Sequence, residues 1–316
     1  MYALQFTATG DLAALSHREL PTPTPAADEV LVEIHAAGLN PSDVKNVLGR
    51  FPYTTLPRVP GRDFAGVVVQ GPAELIGQAV WGTGNQIGFS RDGSHASHIC
   101  LPASGVARKP ESLSFAQAAS CGVPYTTAWD ALQRSQVTAG TRLLVIGANG
   151  AVGSAAIGLA LARGAEVVAA VRRPGYLPAP GVQSIQLDEP ANLAAQVKAH
   201  FPGGAEVIFD TTGFWLPAAV SALAPFGRIA YIAAPADGYV QLPALALYRR
   251  GGTLVGVNTL LYSTADCAAM LDGFGALFDQ RKLPLPGDLR EVPLSEGPAC
   301  YLAVNQGSTE KFILRP

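Results

Sequence analysis

Hydrophobic and polar positions follow two rhythms along this chain. In the first, short apolar stretches are cut by prolines at 21, 23, 25, 41, 52, 57, 60, 72, 102, 110 and 124. Residues 29–37 alternate, 65–69 are apolar, and 79–82 and 97–101 are brief and bounded by turn residues, which predicts β segments. No proline occurs from Tyr125 through Arg173, and there the pattern changes to helix (115–133, broken near Pro124), strand (143–146), helix (151–163) and strand (166–171). A regular beat follows. Weakly patterned 183–187 and strongly apolar 206–210, 228–233 and 253–257 read as strands, separated by helical patterns at 191–200, 215–223 and 242–250. Beyond Val257 the beat stops: 265–279 reads as a helix and 311–314 as a strand returning to the first region. The pattern predicts an α/β architecture, with a six-stranded, doubly wound parallel sheet over 121–259 inserted into a mostly β domain of 1–120 plus 260–316. The expected strand order is 3-2-1-4-5-6 with right-handed crossovers.

The junction of the first predicted strand and helix carries the strongest chemical signal. Leu143-Leu144-Val145-Ile146 runs into Gly147-Ala148-Asn149-Gly150-Ala151-Val152-Gly153. Gly147 suits a tight reversal, Gly150 lets a pyrophosphate approach the backbone, and Gly153 allows close helix–sheet contact. The helix that follows aims free N–H groups and its positive dipole end at such a phosphate. With a strand on either side, this is a Rossmann-type dinucleotide site. At the end of the second strand, where a carboxylate would hold the ribose of NAD, stand Arg172 and Arg173. Two guanidiniums favour the 2′-phosphate of NADPH over simple solvation. Asp210 ends the fourth strand and reads equally as a ribose contact or a helix cap. Thr127, beside Thr126, and Asn258, after the sixth strand, complete the cofactor candidates; helix packing competes for the threonines.

Composition narrows the class. A chain of 316 residues, 48% hydrophobic and 15% charged, suits two domains with sizeable cores. A formal charge of −2 supplies no basic surface for nucleic acid, and no apolar run reaches the roughly 18 residues that cross a bilayer. The first residues lack the charged and apolar regions of a signal peptide, so a cytoplasmic location is expected. The cysteines at 100, 121, 267 and 300 form no C-x-x-C pair, which speaks against a zinc lobe or a disulfide framework. His95 and His98 lie three apart in an extended segment and face opposite sides, an arrangement unsuited to sharing an ion.

The first domain adds Ala36-Ala37-Gly38-Leu39-Asn40-Pro41-Ser42-Asp43-Val44-Lys45 and Pro60-Gly61-Arg62-Asp63-Phe64-Ala65-Gly66-Val67-Val68. With Gly93-Ser94-His95-Ala96, Thr127-Ala128-Trp129, the glycine turn and Glu310-Lys311-Phe312-Ile313-Leu314, these segments resemble the medium-chain dehydrogenase/reductase superfamily. The nearest resemblance is to its zinc-free quinone oxidoreductase and enone reductase branch, along essentially the whole chain. The resemblance implies a GroES-like catalytic domain around the Rossmann sheet and, often in this family, a homodimer. Where the zinc enzymes carry a catalytic cysteine this chain has Asn40, and where they have a histidine it has Arg62, so no metal ligands are expected. Tyrosines found near the substrate in several quinone oxidoreductases are replaced, with Lys45 and Phe51 at those positions. The implied activity is NADPH-dependent hydride transfer to a small quinone, enone or enal, with Asn40 and Lys45 donating to a ribose hydroxyl or to the carbonyl oxygen, where they would stabilise its charge, and Tyr53 as a further candidate. A turn asparagine, a solvated lysine and a packed ring are the plain alternatives, and for Asp43 a structural role outweighs acid–base work. The competing reading is an NADPH-binding regulatory or structural protein with little turnover.

Overall fold

A computed structural model describes residues 1–172, 179 and 181–316; Arg173 therefore lies outside the described residues. The chain forms two units, Met1–Thr126 with Thr259–Pro316, and Thr127–Asn258.

In the first unit, β1 (Tyr2–Phe6) and β2 (Leu15–Glu19) pair antiparallel. The alternating segment becomes β3 (Glu29–Gly38), followed by α1 (Pro41–Val47), β4 (Asp63–Gln70), β5 (Ala79–Gly82), β6 (His98–Pro102) and β7 (Ala107–Arg108). On β3, Val30, Val32 and Ile34 enter the core, and Leu31, Ala36 and Ala37 on either side of them are buried too, so both faces of this strand are covered. Gly66 on β4 lies so close to β3 that a Cβ there would sit 2.0 Å from the Glu33 carbonyl oxygen. The expected long helix is two, α2 (Phe115–Ala119) and α3 (Gly122–Arg134), and the break falls at Ser120–Cys121. Pro124 instead occupies the first turn of α3, where its missing N–H costs no helical bond.

The second unit holds β8 (Arg142–Ile146), α4 (Ala151–Ala162), β9 (Glu166–Val171), β10 (Gln183–Gln186), α5 (Leu193–His200), β11 (Ala205–Asp210), α6 (Leu216–Ala222), β12 (Leu223–Tyr231), α7 (Ala244–Arg249) and β13 (Thr253–Gly256). They build a parallel sheet in the order β10-β9-β8-β11-β12-β13, the 3-2-1-4-5-6 order expected of the apolar beat. Leu144, Ile146, Val168, Ala170, Ile208 and Ile229 share one core with α5 and α6. Strand β12 begins at Leu223, earlier than its apolar pattern shows.

The chain then returns to the first unit with α8 (Thr264–Asp279), β14 (Leu289–Pro293), α9 (Gly297–Asn305) and β15 (Lys311–Arg315). The sheet there runs β14-β15-β3-β4-β5-β7, with β6 also on β3. Among the described residues, no helix is long and apolar enough to cross a membrane. Gly66→Ala should lower the unfolding free energy by about 1–3 kcal/mol through overpacking between β3 and β4. Denaturant titration measures this, and an unchanged midpoint would show that the two strands can part without penalty.

Candidate active site

Each glycine of the turn after β8 has its own reason. Gly147 has φ 79°, and a Cβ there would lie 2.3 Å from Thr211 Oγ1. A Cβ at Gly153 would lie 2.3 Å from the Gly147 carbonyl oxygen, so only glycine lets α4 close onto the turn. Gly150 is the N-cap of α4 in an extended conformation, and its N–H donates to the Gly147 carbonyl at 3.0 Å. Ala148 is buried, whereas Asn149 and Gly150 are exposed and Ala151 and Val152 half-buried at the helix start. The first-turn N–H groups of a helix have no partner within it, so this bare backbone and positive dipole end fit a pyrophosphate. Strands β8 and β9 are parallel neighbours, which places the glycine turn and the exposed Arg172 at the same end of the sheet. Asn258 is exposed after β13, and Thr127 is buried on α3.

Asp210 resolves as a cap. Its carboxylate accepts from the N–H groups of Thr212 (2.8 Å), Gly213 (3.1 Å) and Trp215 (3.0 Å) and from the Thr212 hydroxyl (2.7 Å). These bonds shape the turn leading into α6. Thr126 likewise spends its hydroxyl on the Gly122 carbonyl at 2.8 Å, as helix packing requires.

In the first unit, Asn40, Asp43, Arg62 and Asp63 meet in a buried polar cluster. Asn40 is the N-cap of α1: its backbone N–H donates to Asp43 at 2.8 Å, and its side-chain amide donates to Asp63 at 2.8 Å. Both Asp63 oxygens also accept from the Val123 N–H, at 2.9 Å each, in the first turn of α3. Burial raises both carboxyls and the Arg62 charge pulls them back; Asp43 is pushed up to about 7. Lys45 is exposed in the last turn of α1. Tyr53 is partly exposed and packs against Phe51 and Phe89, with ring centroids 5.9 and 5.5 Å away. The sequence reading placed Asn40, Lys45 and Tyr53 as candidates but missed Asp63, whose only mark was its place after Pro60-Gly61-Arg62.

The donor set does not suit zinc. An amide already bonded to a carboxylate, with a guanidinium beside it, offers no thiolate or imidazole and repels a cation. Among the described residues no group of three or more His, Cys, Asp or Glu could hold a metal ion. His95 is buried; its Nδ1 pairs with the Tyr301 hydroxyl at 2.8 Å and its Nε2 with the Gly38 carbonyl at 3.2 Å. Burial drives its pKa down to about 4, so it is a neutral strut. Cys121 is buried, its thiol raised by burial and 3.2 Å from the Gln117 carbonyl, which leaves it unreactive.

A glycine-rich turn that fits a pyrophosphate and a buried polar cluster in a β domain are the features to set beside known proteins. Residues 26–111 match the alcohol dehydrogenase GroES-like domain and residues 151–274 the zinc-binding dehydrogenase family. A zinc-type alcohol dehydrogenase-like protein of Schizosaccharomyces pombe is 37% identical over 84% of this chain and 80% of its own length. The 2-methylene-furan-3-one reductase of Solanum lycopersicum is 34% identical over 67% of this chain and 57% of its own length. The crystal structure of an alcohol dehydrogenase superfamily protein from Novosphingobium aromaticivorans superimposes with a TM-score of 0.88, covering 100% of this chain and 99% of that one, at 32% identity. The chain belongs to the medium-chain dehydrogenase/reductase superfamily, as its motifs suggested. It is an oxidoreductase of that kind, served by a pyridine nucleotide.

The carboxyl of Asp43 has an ordinary value of 3.8 and rises to about 7 in the fold, where burial outweighs Arg62 and the Asn40 N–H. Between those values the folded chain binds more protons than the unfolded one. The Asp43 contribution is therefore full below the unfolded value and is lost as pH rises toward 7. Asp43→Asn keeps an acceptor for the Asn40 N–H and removes the titration. It should flatten the pH dependence of stability across that window, measured by denaturant midpoints at several pH values. A variant that keeps the slope of the parent would show that Asp43 does not titrate there.

Proposed function

We propose that this protein reduces conjugated carbonyls, quinones or enones and enals, with NADPH and without zinc. Arg172 carries the cofactor part of the reading: it is exposed just past the end of β9, in place of the acid that would hold an NAD ribose, and its guanidinium suits a 2′-phosphate. Arg173 follows it in sequence. The Solanum lycopersicum relative, named a 2-methylene-furan-3-one reductase, supports a conjugated acceptor. The amide and carboxylate at Asn40 and Asp63 support chemistry that needs no Lewis acid.

When bound, the nicotinamide supplies the hydride. The residues of this chain would orient the acceptor and stabilise negative charge on its oxygen. Lys45, exposed and charged at the end of α1, can donate to that oxygen or to a ribose hydroxyl. Asn40 has one amide bond to Asp63 and retains a second N–H. Solvent water can protonate the reduced product, so no dedicated acid is needed. A homodimer is supported by β13, an edge strand of its sheet, with exposed Leu254 on it and exposed Phe226 beside Gly251. Sedimentation of the purified protein as a monomer at micromolar concentration would refute the dimer.

Two experiments test the main reading. The parent should oxidise NADPH with at least one quinone or enone and use NADH less efficiently. Replacing Arg172 and Arg173 by Ala should raise the KM for NADPH far more than that for NADH; equal efficiency with both cofactors in the parent would refute the NADPH assignment. Lys45→Ala should lower turnover by about 10²–10³ if Lys45 meets the substrate oxygen, and mainly weaken NADPH binding if it meets the ribose. A parent that binds NADPH yet oxidises none with a broad acceptor panel would favour the non-catalytic reading.

A further inference from the structure

The setting of Arg62 is unusual. The side chain is 4% exposed, and Nε has no hydrogen-bond partner among the described residues. Among the described residues, the buried side-chain atoms without a partner are those of Ser42, Arg62, Trp81, Ser94, Ser135 and Gln196, and of these that of Arg62 alone belongs to a charged group. A buried guanidinium ordinarily closes an ion pair, because an unmet charge in the interior is costly. Neither neighbouring carboxylate closes one with Arg62 among the described residues. Asp63 is committed to Val123 and Asn40, and Asp43 to the Asn40 N–H. These carboxylates hold the charge of Arg62 in place while leaving its donors unspent.

An aromatic cluster adjoins those donors, buried at Phe89 and open at Tyr53. The guanidinium carbon of Arg62 lies 5.8 Å from the centroid of Phe89. Phe89 packs against Phe51 (5.1 Å) and Tyr53 (5.5 Å), and Tyr53 is 48% exposed, so the wall reaches solvent. Arg62 also acts electrostatically on the Tyr53 hydroxyl, so the wall and the charge are coupled. Flat rings at one side and free planar donors at the other suit a flat molecule that ends in an oxygen.

We infer that Arg62 receives the carbonyl oxygen of a planar, ring-bearing conjugated acceptor, a quinone or aryl enone, laid against Phe51 and Tyr53, which the buried Phe89 backs. This rests on the reductase reading and narrows its substrate class. As hydride adds to the ring or β-carbon, the electron pair of the conjugated bond moves onto the carbonyl oxygen, and the guanidinium stabilises the oxyanion until water protonates the product. A neutral carbonyl gains less from this donor than the oxyanion does, so the effect falls on turnover.

The test uses the full-length protein and p-nitrophenol, whose phenolate mimics a hydroquinone monoanion. Bound to the parent, its pKa should fall by about 1–3 units, as beside a fixed positive charge, read directly from phenolate absorbance. Arg62→Met should abolish that fall. In turnover with naphthoquinone, Arg62→Met should lose about 10²–10³ in kcat with little change in NADPH affinity, and Tyr53→Ala should raise KM for naphthoquinone but not for acrolein. If Arg62 serves only to balance Asp43 and Asp63, Arg62→Met will lower stability while leaving the phenol shift intact, and the inference falls. It falls equally if the parent binds p-nitrophenol without a shift or not at all, a result that needs no variant to fold. Absence of NADPH oxidation with every acceptor would overturn the reductase reading, while the phenol titration would still decide what Arg62 binds.

Discussion

The buried carboxylate of Asp63 is the constraint around which the first unit is arranged. An ionisable group removed from water must be met by donors, and Asp63 draws its donors from distant parts of the chain: the amide of Asn40 and the N–H of Val123. Asn40 opens α1, and Val123 lies in the first turn of α3, so one side chain sets where two helices begin. Glycine makes the approach possible. A Cβ at Gly122 would sit 2.3 Å from Asp63 Oδ1, and one at Gly38, opposite Asp63 on β3, would sit 2.3 Å from the Ala119 carbonyl oxygen. The positive end of α3 then faces a negative carboxylate, which offsets part of the cost of burial.

The same arrangement shapes the chemistry. Where zinc enzymes of the superfamily place metal ligands, this chain closes an amide–carboxylate bond and sets a guanidinium beside it. The two carboxyls and Arg62 share one low-dielectric region, so the charge of each depends on the others. Neither carboxylate closes an ion pair with Arg62 among the described residues, and its Nε is without a partner there.

The nucleotide unit was legible for a simple reason. Its parallel strands are covered on both faces, so each reads as an apolar run, and the crossover helices between them must be of similar length. The order of its strands, the turn at 147–153 and the place of Arg172 follow from that beat and from what glycine alone can do. Even here Asp210 had two readings, and only the bonds to Thr212, Gly213 and Trp215 made it a cap.

The other unit was legible in part. Alternation marked β3 and the proline-bounded strands, because one residue in two must face a core. Strand β14 escaped, since on this edge strand Val292 alone is fully buried and charged residues occupy the middle. Helix α1 escaped because seven residues show too little of the helical period, although Asn40, Pro41 and Asp43 are good capping chemistry in retrospect. By itself the sequence determined the fold class, the superfamily and the nucleotide turn, all of which rest on local pattern and backbone freedom. The pairing of Asn40 with Asp63, the neutral strut at His95 and the unspent donors of Arg62 were decided by tertiary structure alone, because each depends on partners brought from elsewhere in the chain and on the loss of water around them.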